Sequence, residues 1–147
     1  MLRTLALQQL DRALTAQSHP ARPAGGWLRA IRQALGQTTR QLAYAVGVEQ
    51  NAVMAVERSE ARYDVTLATL ARYADALGCD LHYVLKPRQP LVQMVNERAE
   101  RIAREQVSRV QHSMALEDQG TGDEVREQEV QVLKGELLEG RLSRLWR

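Results

Sequence analysis

With 147 residues, no Phe and an apolar set dominated by Leu, Ala and Val, the chain can bury one modest core plus a helical arm, and it suits helix-on-helix packing better than an aromatic-rich sandwich. The single cysteine, Cys79, excludes an intrachain disulfide and a multi-cysteine zinc site; His19, His82 and His112 lack ligand spacing, so neither metal nor cofactor is expected. The formal net charge of +2 is unevenly spread: residues 1–90 hold 11 Arg/Lys against 7 Asp/Glu, and residues 91–147 hold 9 against 11, which fits a front half meeting phosphates and a back half meeting a protein.

The start, Met1 to Leu10, is too short and polar for a signal peptide or membrane span, so a cytoplasmic protein without membrane contact is expected. Leu2, Leu5, Leu7, Leu10 and Leu14 predict an amphipathic helix ending near Ser18. A breaker-rich linker follows from His19 to Gly26. Trp27, Leu28, Ile31 and Leu35 then form one helical stripe, with Gly36 as the stop. Leu67, Leu70, Ala71, Ala74 and Leu77 predict a further helix closed by Gly78.

Asp80 to Lys86 alternates and then meets Pro87, which reads as a short strand. A lone strand needs a partner for its backbone, and no second candidate is evident, so pairing with a second copy in a two-fold dimer is expected. A long helix is predicted from Leu91 to about Leu116, with i,i+4 pairs Glu97/Arg101 and Glu100/Arg104. Gln119 to Asp123 breaks it, a last helix runs from about Glu124 to Leu138, and the tail ends in Leu142, Leu145 and Trp146, with Trp146 expected in a satellite core in preference to an interface anchor on a partner. The expected architecture is all-α: a Cro-like helix-turn-helix bundle with one short β-strand and a C-terminal helical arm. It divides as helix and linker (1–23), helix-turn-helix domain (24–90) and arm (91–147).

Residues 38–57 hold the most informative pattern. Thr38 and Gln41 have capping-box spacing, and the amides at that helix start can hold a phosphate. Leu42, Ala43 and Val46 face inward, Gly47 permits the positive φ of a tight inter-helix turn, and Val48, Val53 and Val56 form the apolar face of the next helix. Gln50, Asn51, Met54 and Ala55 remain on the outer face: Gln and Asn can pair bidentately with adenine, and Met54 or Ala55 can touch a thymine methyl. Arg40, Arg58 and Arg62 are candidate phosphate contacts.

The run resembles the phage-repressor (Cro-like, or XRE) class of helix-turn-helix at Thr38, Leu42, Ala43, Gly47, Val48, Val53 and Glu57. It departs at Thr39, where the family usually has a base- or phosphate-contacting Gln, and at Glu49, where a Ser or Thr cap is usual. The resemblance implies double-stranded DNA as ligand, read by Thr38, Thr39, Arg40, Gln50, Asn51, Met54, Ala55, Arg58 and Arg62.

Further on, Ser113 and Glu117 lie four apart on the long helix and therefore share a face. The segment Ser113-Met-Ala-Leu-Glu117-Asp118 resembles the inhibitory-helix motif of antitoxins of Fic-domain toxins, a Ser or Thr followed four residues later by Glu and then Gly or Asn; here Asp118 holds the last position. That resemblance implies that Glu117 pairs with a nucleotide-site Arg of the toxin and blocks seating of the ATP γ-phosphate. The chain from about 24 to 118 also resembles the family called mobile mystery protein A, through Gly26-Trp27-Leu-Arg-Ala-Ile-Arg, the helix-turn-helix, Leu67-Ala-Thr-Leu, Ala76-Leu-Gly-Cys-Asp-Leu, Tyr83 and Met114-Ala-Leu-Glu. Members are typically encoded beside a Fic-domain protein, which implies an antitoxin with Ser113, Glu117 and Asp118 as its toxin-inhibiting residues. The alternative is a stand-alone dimeric transcriptional repressor. An enzyme is not expected, since no nucleophile–base pair or phosphate-cradling glycine loop occurs, and Gly25-Gly26 lacks the strand and Lys of a P-loop.

Overall fold

A computed structural model describes residues 2–115 and 122–146, and among them the regular structure is seven α-helices and a closing 3-10 turn. The chain divides into two compact units, Ser18–Val84 and the pair Met1–Gln17 with Leu85–Arg147.

The unit Ser18–Val84 holds α2 (Trp27–Ala34), α3 (Thr39–Val46), α4 (Gln50–Ala61) and α5 (Leu67–Ala76). The starts of α3 and α5 are set locally. The Thr38 hydroxyl accepts from the Gln41 amide while Gln41 Oε1 accepts from the Thr38 amide, the reciprocal cap expected from the sequence. At α5 the Thr66 hydroxyl accepts from the Thr69 amide at 3.1 Å. The inward faces meet in one core of Leu28, Leu42, Ala43, Val53, Tyr73 and Leu77, with Ile31, Val46, Val48, Val56 and Cys79 packed around it. Leu42 and Val53 are wholly buried, each contributing roughly 1.5–3 kcal/mol by area removed from water.

The strand expected over 80–86 is not formed, and no β-strand occurs among the described residues. The segment runs irregularly, and the amides of residues 81–84 find no acceptor among the described residues. A strand exists through its ladder, and no backbone hydrogen bond from another segment reaches this one among the described residues.

The other unit joins α1 (Leu2–Thr15) to α6 (Leu91–Ala115), α7 (Asp123–Glu139) and the 3-10 turn Leu142–Trp146. The first helix, grouped by sequence with the linker that follows it, ends at Thr15 and packs in the unit of α6. Its Asp11 carboxylate accepts from the Leu91 and Val92 amides at 2.7 and 3.1 Å, capping α6 from a distant part of the chain. Helices α6 and α7 lie antiparallel, as the Arg104–Glu127 and Glu100–Lys134 ion pairs show. Ala99 and Ala103 are wholly buried, and Ala103 packs with Val107 and Val130 in the seam between these helices.

The expected Glu100/Arg104 pair forms, but Glu97 is held by Gln93 and Gln89 in the place of Arg101. Bonds from Lys134 and then Arg104 hold the Glu100 carboxyl below its usual range; Arg104 and then Gln131 do the same for Glu127. At the C-terminus the expectation for Trp146 is reversed: Leu145 is fully buried with Val95 and Ala99, and Trp146 is 56% exposed. A 3-10 turn directs adjacent residues to different sides, so only one of the two can enter that core. No helix among the described residues is long and apolar enough to cross a membrane.

Candidate nucleic-acid interface

The turn between α3 and α4 follows from Gly47. Its φ of 82° is left-handed, and the amides of Gly47 and Val48 both return to the Ala43 carbonyl, at 2.9 and 3.0 Å. Ala43 is buried in the shared core of the two helices, where a larger side chain would hold them apart. Glu49 then stands extended as the N-cap of α4 without a side-chain bond, so its carboxylate reaches the helix end only through the dipole.

Three contacts secure α4 from behind. The Arg32 guanidinium of α2 donates from Nε and Nη2 to the two oxygens of Glu57, with both side chains buried. This bond holds the Arg32 pKa above its usual value, against the opposing effect of burial. Glu60, one turn further along, accepts from the Trp27 and Leu28 amides at 2.8 and 2.9 Å and so caps α2 with a carboxylate from another helix. Arg22 donates to the Glu60 and Ala61 carbonyls at the end of α4 and lies over the Tyr63 ring, 3.9 Å from its centroid.

None of Arg22, Arg32 and Glu60 was singled out from the sequence. The signal was present: with Val53 as reference, Val56, Glu57 and Glu60 follow at i+3, i+4 and i+7, so two acids sit on the apolar stripe. Arg32 likewise falls four residues after Leu28 on the stripe of α2.

The opposite face of α4 is open. Asn51, Met54, Ala55, Arg58 and Arg62 are all exposed, and their spacing places them along one stripe. Gln50 is exposed at its margin, where Nε2 donates to the Thr39 hydroxyl at 2.8 Å. That bond uses one of two amide hydrogens, leaving the other N–H and the carbonyl for the bidentate pair an adenine edge requires. Thr39, where the Cro-like pattern has Gln, is thus an orienting residue for Gln50.

Thr38 and Arg40 are exposed at the start of α3, and Tyr44, 91% exposed, stands one turn after Arg40 on the same face. Tyr44 is a further residue of this surface, pointed outward by the same periodicity that places Leu42, Ala43 and Val46 inward. Arg40, Arg58 and Arg62 form no ion pair among the described residues, so their charge is uncompensated at this surface. The edge therefore combines hydrogen-bonding amides, small apolar groups and cations, the set that reads base edges and meets phosphates.

Of the other sequence-predicted residues, Ser113 is exposed on the last described turns of α6, and Glu117 and Asp118 lie outside the described residues. Among the described residues no group of three His, Cys, Asp or Glu could hold a metal ion. No family model, curated protein or solved structure matches the chain.

Proposed function

We propose that this chain is the antitoxin of a Fic-type toxin–antitoxin pair, an operator-binding repressor whose α6 arm inhibits the toxin. The observation that carries the DNA half is the uncompensated edge of α4, Asn51, Met54, Ala55, Arg58 and Arg62, on a helix anchored from behind by two buried carboxylates. Gln50, oriented by Thr39, and Asn51 are its base readers; Thr38, Arg40, Arg58 and Arg62 are its phosphate contacts. The chain binds as a dimer, and the unpaired amides of residues 81–84 supply an edge on which a second copy adds its own. The inhibitory half draws on the resemblance to Fic antitoxins at Ser113, Glu117 and Asp118, and exposed Ser113 is accessible to such a partner.

Two experiments test the halves separately. Asn51→Ala should reduce the preference of the chain for its operator over random duplex by about 1–3 kcal/mol, measured by competition binding at moderate salt. Arg58→Ala should weaken all sequences alike and lower the salt slope by about 0.9. No preference of the wild-type chain for any promoter fragment overturns the DNA reading.

The inhibitory half predicts a Fic protein encoded beside this chain, whose adenylylation activity is measured when the two are co-expressed. Glu117→Ala should release that activity and leave operator binding unchanged. Full activity beside the wild-type chain leaves a stand-alone dimeric repressor. A neighbouring reading frame with the pattern H-x-F-x-[DE]-G-N-G-R identifies the partner.

A further inference from the structure

Along α6, residues 95, 99, 102, 106 and 110 succeed one another at intervals of three and four and form one ridge. Its first part is covered, because Leu7 and Leu142 pack on the cluster containing Val95 and Ala99. Its second part borders an open groove of about 480 Å³ between α6 and α7, with Gln106 and Val110 on one side. On the other side α7 presents Val125, Glu129, Val132 and Glu136, spaced 4-3-4 as in a coiled-coil seam.

Two properties of this groove call for an occupant. Val110, Val125 and Val132 are 57%, 45% and 63% exposed, a row of β-branched apolar groups left in water. Glu129 and Glu136, seven residues apart on the same seam, form no ion pair among the described residues. The complement is a helix with apolar seam positions and two cations one heptad apart.

None of the described α-helices offers that complement. Within α1 to α7, no two Lys or Arg stand seven apart. A second copy would therefore leave the two carboxylates without matched cations.

We infer that the groove between α6 and α7 docks a helix of another protein, apolar along its seam and carrying Lys or Arg at two positions seven residues apart. The inference rests on the partner half of the reading above and deepens it: the groove supplies affinity, while Glu117 supplies inhibition.

The probe is a fluorescein-labelled synthetic helix with Leu at its seam and Lys at two positions seven apart, titrated with the full chain; its control carries Glu at those two positions. The Lys helix should bind at least about tenfold more tightly than the Glu helix. Glu129→Lys with Glu136→Lys should invert that preference, and Val132→Glu should weaken both peptides. All three positions are exposed or half-open on α7, so helical circular dichroism should stay unchanged.

Equal affinity for the two peptides, or binding of neither, overturns the inference. So does a concentration-dependent dimer in sedimentation that Val132→Glu dissolves, which seats a second copy in the groove. Charge-selective docking beside a fully active Fic protein leaves the groove standing and removes the toxin reading. Inhibition that persists without charge-selective docking does the reverse.

Discussion

Glu57→Ala is expected to destabilise the unit Ser18–Val84 by about 3–5 kcal/mol, and the proposed operator binding should be lost with it. The cause is the charge left behind. Arg32 would retain its bond to the Gln37 carbonyl at 2.9 Å but lose both bonds to Glu57 in a buried position. A loss of this size is a large part of the stability of a small domain. The measurement is urea unfolding followed by Trp27 fluorescence in a Trp146→Phe background, so that the signal comes from this unit alone.

Replacing both partners, Arg32→Met with Glu57→Leu, should cost much less than either single change, because no uncompensated ion remains. A double variant as unstable as Glu57→Ala would show that the bidentate geometry itself carries the stability. The distinction bears on the proposed function, since Arg32 and Glu57 join α2 to the helix that carries the proposed reading edge.

Glu60→Ala is the second large effect, expected at about 2–3 kcal/mol from two charge-assisted bonds to amide groups. Trp27 and Leu28 would lose the capping acceptor that Glu60 supplies, the Leu28 amide inside the core. Gly26 belongs to the same arrangement. Its φ is 85°, and a Cβ there would lie 2.7 Å from Glu60 Oε2 and 2.9 Å from Glu60 Cδ. Gly26→Ala should therefore cost a similar amount, from backbone strain and from displacement of the carboxylate.

The two effects are coupled. In the Glu60→Ala background the clash is gone, so Gly26→Ala should cost only its left-handed backbone penalty, about 1–2 kcal/mol. The sum of the single changes should exceed the double change, as chemical denaturation of the four proteins would reveal. Strict additivity would mean that Glu60 does not approach Gly26 as closely as the geometry indicates.

Local patterns determined much of this protein. The capping box at Thr38, the left-handed turn at Gly47 and the apolar stripes that set α2 to α7 follow from hydrogen-bonding and steric rules acting within a few residues. The outward placement of Asn51, Met54, Ala55, Arg58 and Arg62 follows from the same periodicity. Contacts between distant segments could be settled only in three dimensions. Asp11 caps α6, Glu60 caps α2, and Arg22 closes α4. In each case a charged side chain satisfies backbone groups far away in sequence, and no local spacing encodes its target.

Tertiary structure also decided between neighbours of equal local merit. Leu145 entered the core in place of Trp146, and residues 80–86 lacked the ladder that alternation had suggested. Periodicity states which face a residue occupies. What meets that face depends on how the packed elements share limited space and hydrogen-bonding partners, and that is a property of the whole fold.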